Sequence, residues 1–371
     1  MKTILFVFGT RPEVIKLAPV ILKFKKNPAY KIILCNTEQQ KDLSNQALNF
    51  FGIKADICLD IMSFNQNLSD LGALLLLKLK EVFTNNKIDA TIIQGDTMSA
   101  FYGALSAFYH KVFIFHIEAG LRSYDNFEPF PEEALRNMIS KIATLHFAPT
   151  SLNVKFLKKE LKKSCHKNIF QTGNTSIDSL MYFYKKQERL KEIKINTYKI
   201  TSKDKIVLIT IHRRENFDKK RLEGILKAIV ELSKYFCDFK FILPMHPNPN
   251  VKNEIKSNLN FCKNIILSEA LSYENIIFLM RYSALILTDS GGIQEEAPSF
   301  GTPLLILRYK TERMEGVRQG FAKLVGTNKN KIIKEASSIL AFPKKINKAN
   351  PYGDASASDK IIHIIEGFFN G

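Results

Sequence analysis

Short apolar segments rich in Ile, Val, Leu and Phe alternate along the chain with longer segments whose apolar residues recur at helical spacing. This alternation predicts parallel β-strands joined by crossover helices, because strands buried on both faces read as continuous apolar runs. The first series of predicted strands lies at 4–9, 31–36, 90–94, 112–117, 146–148 and 169–172. The second series lies at 206–211, 240–244, 265–267, 284–288, 303–307 and 323–325. The pattern therefore predicts an α/β protein with two doubly wound sheets.

A chain of 371 residues exceeds one ordinary core, and its length favours two domains of roughly 150 to 200 residues each. The segment 185–205 is charged and has little apolar periodicity, so we place the boundary there. The predicted domains are 1–185 and 186–354, followed by a C-terminal helix within 355–371. That helix has an apolar face that must be buried, although periodicity does not indicate which domain receives it.

The formal charge of +18 comes from 54 basic and 36 acidic residues. Such an excess is compatible with nucleic acid, a membrane surface or an anionic substrate. No arginine-rich arm or nucleic-acid motif accompanies it, so a solvated lysine-rich surface is the simpler interpretation. No apolar run approaches the roughly 20 residues of a membrane span, and we expect a cytoplasmic protein.

Metal ligands are not indicated by the sequence. The five cysteines form no CxxC pair and the seven histidines form no HExxH. His116 and Glu118 make an HxE, but the PCxxC partner of a zinc deaminase is absent. We therefore expect no metal site.

The segment 285–308, LILTDSGGIQEEAPSFGTPLLILR, carries the strongest single signal. An apolar strand ends before Ser290, Gly291 and Gly292, and a short helix is predicted to begin at Ile293. Glycines allow a ligand close to the backbone, and the N–H groups and dipole of a helix start favour negative charge. The segment predicts a phosphate site, with a simple connecting turn as the alternative.

Charged residues also follow the strands of the first series. Arg11 comes directly after the first strand, and Lys16 lies one helical turn further on. This is neither GxGxxG nor a Walker loop, so it indicates neither a nicotinamide enzyme nor an ATPase. Asp96 and Glu118 follow later strands, and Glu132 lies at the start of a predicted helix. Each carboxylate alone is explained as a helix cap, but three at one sheet edge favour acid/base groups.

In the second series, His212 ends the first strand and Arg213 follows it. A histidine and arginines at the edge that also carries the two glycines indicate a diphosphate site. His246 ends the next strand, where lining the nucleotide pocket and bonding the turn are both open interpretations. There is no GxSxG elbow, and none of the scattered cysteines has an evident histidine partner, so acyl chemistry has no support.

Together the motifs resemble a known family. The matching segments, which cover essentially the whole chain in order, are GTRPEVIK, QGDT, HIEAGLRS, PEEALRN, TGNTSIDSL, TIHRREN, HPNPNV, the segment 285–308 and NPYGD. They resemble the bacterial non-hydrolysing UDP-N-acetylglucosamine 2-epimerases. The resemblance implies GT-B architecture, with two Rossmann-like domains whose parallel sheets face a central cleft, a homodimer, and a final helix packed back on the first domain.

The resemblance also implies interconversion of UDP-GlcNAc and UDP-ManNAc, which supplies surface polysaccharide precursors. UDP is eliminated to leave 2-acetamidoglucal and then adds back, so no redox cofactor is implied. The implied catalytic residues are Asp96, Glu118, Glu132 and His212. The implied substrate-binding residues are Arg11, Lys16, Arg136, Arg213, His246, Ser290, Gly291, Gly292, Glu296, which matches the ribose-binding glutamate, and Arg313.

Departures from the family pattern fall on its allosteric subsite for a second UDP-GlcNAc. This chain has Gln39, Gln40 and Lys41 where many members read Gln-His-Arg, although Gln46 agrees. The loop 63–67 also lacks an arginine that some members place there. These positions put substrate activation in question while the catalytic set is complete.

Three other functions share parts of these signals. A GT-B glycosyltransferase has the same kind of nucleotide site, but the three carboxylates argue against it. A hydrolysing epimerase releases free ManNAc. A basic nucleic-acid-binding protein accounts for the charge alone.

Overall fold

The computed structural model of the protein describes residues 1–63, 66–246 and 248–371. These residues form two compact units, one of residues 1–179 with 352–371 and one of residues 180–351. The domain limits at 185 and 354 remain predictions, because compactness alone does not test independent folding. Over the described part of the chain, no helix has both the length and the hydrophobicity that a membrane span requires.

The first unit is built on a fully parallel sheet. Its strands are β1 (Lys2–Phe8), β2 (Tyr30–Asn36), β3 (Ile57–Cys58), β4 (Ala90–Gln94), β5 (Phe113–Ile117), β6 (Leu145–Ala148) and β7 (Ile169–Gln171). Their order is β3-β2-β1-β4-β5-β6-β7. The strand order reverses between β1 and β4, the switch point at which open α/β sheets bind ligands.

Crossover helices connect these strands. They are α1 (Arg11–Phe24), α2 (Lys41–Phe50), α3 (Leu68–Asn85), α4 (Met98–Tyr109), α5 (Glu132–Ile142), α6 (Ser151–Glu160) and α7 (Thr175–Gln187), with a 3-10 turn at Lys163–Asn168. Thr97 caps α4, where its side chain accepts from the N–H of Ala100. Such caps explain why the helices begin directly after the strands. The residues that follow the strands therefore lie at one edge of the sheet.

The second unit opens with an antiparallel hairpin of β8 (Glu192–Ile195) and β9 (Tyr198–Thr201). The parallel strands follow as β10 (Ile206–Thr210), β11 (Lys240–Pro244), β12 (Ile265–Ser268), β13 (Ser283–Thr288), β14 (Leu304–Ile306) and β15 (Ala322–Leu324). Their order, β12-β11-β10-β13-β14-β15, reverses between β10 and β13. The charged segment that we read as a linker thus contains a hairpin.

The helices of the second unit are α8 (Lys219–Tyr235), α9 (Pro249–Leu259), α10 (Tyr273–Tyr282), α11 (Gly291–Glu296), α12 (Met314–Arg318) and α13 (Lys329–Ala341), with 3-10 turns at Arg214–Phe217 and Ala297–Phe300. Strand β10 is buried along its whole length, as its unbroken apolar sequence predicts. The predicted α/β fold with two Rossmann-like sheets is confirmed, and every predicted strand lies within two residues of its predicted bounds.

The last helix, α14 (Ala357–Asn370), belongs to the first unit. Ile361 and Ile365 are fully buried, and the Phe368 ring packs edge-on against Phe115 at 5.4 Å between centroids. Asp178 of α7 accepts from the N–H of Ser358 at 2.8 Å and from its hydroxyl at 2.5 Å. Apolar packing and a carboxylate cap therefore fix α14 to the first sheet.

Candidate active site

The loop between β1 and α1 carries the first predicted cation at the switch point of the first sheet. Arg11 is exposed, and its N–H donates to Oε1 of Gln40 at 3.2 Å. The preceding glycine, Gly9, is tightly enclosed, since a Cβ there would lie 2.0 Å from Oγ1 of Thr37 and 2.4 Å from Oγ of Ser99. Close packing thus fixes the backbone from which Arg11 projects.

Asp96 lies directly after β4, beside the β1 loop. Its Oδ2 forms an ion pair with Nη2 of Arg136 at 2.9 Å. The same guanidinium donates through Nε to the carbonyl of Glu132 at 3.2 Å, so α5 brings three predicted residues together. Arg136 is buried, and a buried ion pair of this kind holds both groups in fixed orientation.

Glu118 follows β5 with a backbone φ of 65°, a left-handed conformation that is uncommon for a residue with a side chain. One carboxylate oxygen pairs with Nζ of Lys16 and the other accepts from the amide of Gln94. Only 8% of Glu118 is exposed. The strained backbone thus aims a buried carboxylate at a lysine of α1 and an amide of β4.

His116, two residues before Glu118, is a site residue that the sequence analysis set aside. Its Nε2 lies 2.8 Å from the carbonyl of Gly95, and because a carbonyl only accepts, the ring must donate from Nε2. Burial lowers the pKa of His116 to about 3 and that of its neighbour His146 to about 4. His116 is therefore neutral near pH 7 and anchors the backbone just before Asp96.

In the second unit, Asp289 organises the switch point. This fully buried carboxylate accepts from the N–H of His212 at 2.9 Å, the N–H of Arg213 at 3.0 Å and the amide of Asn216 at 2.9 Å. The side chains of Thr210 and Thr288 also bond across β10 and β13 at 2.6 Å. The residue that follows β13 thereby fixes the backbone of the loop that follows β10.

Helix α11 begins at Gly291, two residues earlier than predicted, so the prediction of a start at Ile293 is wrong. Both glycines adopt helical backbone and form the first turn, with Ser290 as N-cap. A Cβ on Gly291 would lie 2.6 Å from Cζ of Arg313, whereas nothing lies within 4 Å of such an atom on Gly292. Gly291 therefore accommodates the guanidinium, and Gly292 faces open space.

Arg313 belongs to a buried charge cluster around Glu312. Arg313 donates to Oε1 of Glu295 at 2.7 Å and also pairs with Glu312. Glu312 further pairs with Arg308 at 3.1 Å and with Arg213 at 3.8 Å. Burial alone raises the pKa of Glu312, but the three arginines hold it well below its usual range, so it stays ionised.

The two remaining predicted residues of this unit have different settings. Glu296 accepts at Oε1 from the hydroxyl of Tyr273 at 2.9 Å. His246 packs against Phe217 at 4.9 Å and lies 6.1 Å from His212 between ring centroids. Its Nδ1 accepts from the N–H of Asn248 at 3.1 Å, so the turn-bonding interpretation of His246 is observed.

Residues of the predicted allosteric subsite adjoin the loop between β1 and α1, since Gln40 accepts from the N–H of Arg11. Gln39 accepts from the hydroxyl of Ser99 at 2.8 Å, and Gln46 is exposed on α2. Lys41, which departs from the family pattern, pairs with Asp60 at 2.8 Å. In the loop 63–67, residues 64 and 65 lie outside the described residues, as does residue 247 of the HPNPNV motif.

Two Rossmann-like sheets with charged residues at their switch points define an α/β enzyme of the GT-B class. The sequence profile of the family described as UDP-N-acetylglucosamine 2-epimerase matches residues 22–366. A UDP-N-acetylglucosamine 2-epimerase of Campylobacter jejuni is 43% identical over 376 residues, covering 98% of this chain and 97% of that protein. The chain belongs to the UDP-N-acetylglucosamine 2-epimerase family.

Solved structures give the same result. The UDP-GlcNAc 2-epimerase of Neisseria meningitidis, bound to UDP-GlcNAc, has a TM-score of 0.91 at 39% identity and covers 99% of this chain and 100% of its own. The enzyme of Methanocaldococcus jannaschii, in complex with UDP-GlcNAc and UDP, has a TM-score of 0.84 at 32% identity, with coverage of 99% and 100%. Both resemble this chain over their full length.

Proposed function

We propose that this protein interconverts UDP-GlcNAc and UDP-ManNAc by eliminating UDP to 2-acetamidoglucal and adding it back. The observation that carries the proposal is the group of carboxylates held at one switch point by cations, namely Glu118 by Lys16 and Asp96 by Arg136. A family that acts at C2 of this sugar needs groups that remove and return a proton there. These two ion pairs supply them within the first unit.

The chemistry sets the order of events. No carbonyl lies next to the C2 proton, so its removal requires that the C1–O bond to UDP breaks and charge develops on the sugar. The electron pair of the C2–H bond then forms the C1–C2 double bond, and UDP leaves with the pair of the C1–O bond. Return of UDP to C1, with protonation of C2 from the opposite face, completes epimerisation. No oxidant or reductant is consumed.

We assign the proton transfers at C2 to Asp96, Glu118 and Glu132. Lys16 and Gln94 fix the direction of the Glu118 carboxylate, and Arg136 does the same for Asp96. Because the proton leaves from one face of the sugar and returns to C2 from the opposite face, at least two of these groups must act, one on each face.

We assign contacts with the uridine diphosphate to the predicted diphosphate-binding residues of each unit. Arg11 and the amides of Ser290, Gly291 and Gly292 bind phosphate oxygens, with His212 and Arg213 acting at the leaving group. Asp289 supports this role because it fixes the backbone of His212 and Arg213. Donors aimed at charge that develops in the transition state contribute on the order of 3 kcal/mol each.

Further substrate contacts are proposed for Arg313, His246 and Glu296. Glu296 accepts from the ribose hydroxyls, while Tyr273 holds one of its oxygens. The guanidinium of Arg313 lies against Gly291 in the first turn of α11, where the absence of a side chain leaves room for it. The product UDP-ManNAc then supplies surface polysaccharide precursors, and we expect the enzyme to act as a homodimer.

Incubation of purified protein with UDP-GlcNAc in deuterated water tests the proposal. We expect deuterium at C2 of both UDP-sugars, transient 2-acetamidoglucal, and no net release of UDP at equilibrium, as followed by NMR and mass spectrometry. Accumulation of free ManNAc with UDP would instead identify a hydrolysing epimerase. Exchange that is absent from both sugars would refute the proposal.

A further inference from the structure

Glu13 is a buried carboxylate of the first switch point to which the proposed mechanism gives no role. It lies in the first turn of α1, three residues after the N-cap Thr10, and is 1% exposed. A glutamate at this position commonly returns to the N-cap N–H as part of a capping box. That pattern accounts for one of its contacts and leaves the others unexplained.

The carboxylate contacts two separate loops. Oε2 accepts from the N–H of Gly9 at 3.1 Å, the N–H of Thr10 at 2.8 Å and the hydroxyl of Thr10 at 2.7 Å. Oε1 accepts from the hydroxyl of Thr97 at 2.7 Å, a residue 84 positions away along the chain. One side chain therefore joins the start of α1 to the start of α4.

Each of these loops carries a residue of the proposed site. Arg11 follows Thr10 directly, and Asp96 precedes Thr97 directly. Parallel strands β1 and β4 are neighbours, but their hydrogen bonds end at Phe6 and Ile92, before the loops begin. Pairing between the strands thus ends before the two loops, and Glu13 supplies a direct contact between them beyond the strand ends.

We propose that Glu13 is a positioning residue that sets the relative placement of Arg11 and Asp96. This inference rests on the proposed function for its kinetic consequence, but its structural part stands alone. Because four donors converge on the carboxyl, its removal leaves buried N–H and hydroxyl groups without their acceptor. Both loops then lose their common support.

Two substitutions of Glu13 distinguish a positioning role from a direct role of its charge or proton. Glu13→Ala removes the link, whereas Glu13→Gln keeps it, since the amide oxygen accepts from Gly9 and Thr10 and the amide nitrogen donates to Oγ1 of Thr97. A direct proton transfer by Glu13 would be lost in both variants. Rescue by glutamine is therefore the signature of a positioning role.

The first measurement is hydrogen exchange, read by mass spectrometry on peptides that cover 3–16 and 94–101. We expect Glu13→Ala to speed exchange in both peptides, and Glu13→Gln to leave exchange in both peptides no faster than in the wild type. Thr97→Val, which removes the link from the other loop, should speed exchange at 3–16. If Glu13→Ala affects only 3–16, Glu13 is a local cap and the inference is refuted.

The second measurement is C2 exchange with UDP-GlcNAc. Loss of a buried hydrogen bond to a carboxylate converts to a rate effect on the order of 10- to 100-fold. We expect Glu13→Ala to raise KM and lower kcat, with kcat/KM falling by that factor, and Glu13→Gln to stay within about threefold of the wild type. Equal loss in both variants would refute a positioning role.

Asp178 provides a matched control. It is also a buried carboxylate that accepts from N–H and hydroxyl groups far along the chain, but the bonds that it accepts from Ser358 cap α14, and Ser358 has no assigned substrate contact. Asp178→Ala should lower stability without raising KM. If the wild type shows no C2 exchange, the proposed function fails, while the hydrogen-exchange result still decides the role of Glu13.

Discussion

Replacing Glu13 by glutamine should stabilise the first unit at alkaline pH and have much less effect at acidic pH. Burial raises the pKa of Glu13 from 4.5 to about 7, although bonds from Thr97, Thr10 and Gly9 act in the opposite direction. Between these two values the folded protein binds more protons than the unfolded chain. Stability of the wild type must therefore fall as pH rises through this window.

The magnitude follows from the same two values. Each tenfold change in proton affinity corresponds to about 1.4 kcal/mol, so the span from 4.5 to about 7 corresponds to about 3 kcal/mol. Glutamine does not titrate, so Glu13→Gln avoids this loss. Its free energy of unfolding relative to the wild type should rise by about 3 kcal/mol between pH 4.5 and pH 8.

Urea unfolding followed by circular dichroism at several pH values measures this difference, because the chain contains no tryptophan for fluorescence. Two units unfold, so exchange of backbone amides in 3–16 assigns the transition of the first unit. Glu223→Gln on the exposed face of α8 is the control and should show no rise between pH 5 and pH 8. A flat difference for Glu13→Gln would refute the raised pKa of Glu13.

Four further substitutions test the site. Asp96→Asn and Glu118→Gln should each lower the rate of C2 exchange by at least 100-fold, because both carboxylates are assigned to proton transfer. The affinity for UDP, measured by calorimetry, should stay within about threefold of the wild type. Near-normal exchange in both variants would contradict those roles. Asp289→Ala should weaken UDP binding by more than tenfold and destabilise the second unit by about 3 kcal/mol, since buried donors lose their acceptor. Unchanged UDP binding would contradict the role of Asp289 in fixing the loop after β10. Tyr273→Phe removes the hydroxyl that bonds Glu296 and should raise the KM for the UDP-sugar by about five-fold at unchanged kcat, whereas a fall in kcat alone would argue against a ribose contact.

Periodicity was sufficient for the two parallel sheets, because their strands are buried on both faces and read as unbroken apolar runs. It failed at β8 and β9, where only Ile193, Ile195 and Ile200 are buried among charged neighbours. In a hairpin with one solvated face, apolar and polar residues alternate over only a few positions. This short alternation is hard to recognise within a lysine-rich segment. Strand β3 has only two residues and gives no periodic signal at all.

The charged residues after strand ends were found because strand ends of a parallel sheet share one edge. The buried acidic residues that hold these charged residues and their loops in place were not predicted. Glu13, Asp289 and Glu312 are all buried, but a sequence shows only that each is acidic, and acidic residues are usually exposed. Their partners lie far along the chain, such as Thr97 for Glu13, so only tertiary structure brings the donors to them.

The place of α14 in the first unit has a consequence for how the protein reaches its native state. A ribosome completes every strand of the first sheet before it begins the second unit, yet the helix that covers Phe115 is synthesised only after the second unit. Until then, Asp178 has no helix start to cap and the apolar side chains beneath α14 face water. The first unit is thus completed only after the second has been synthesised, and a fragment that ends at residue 179 would keep that surface exposed.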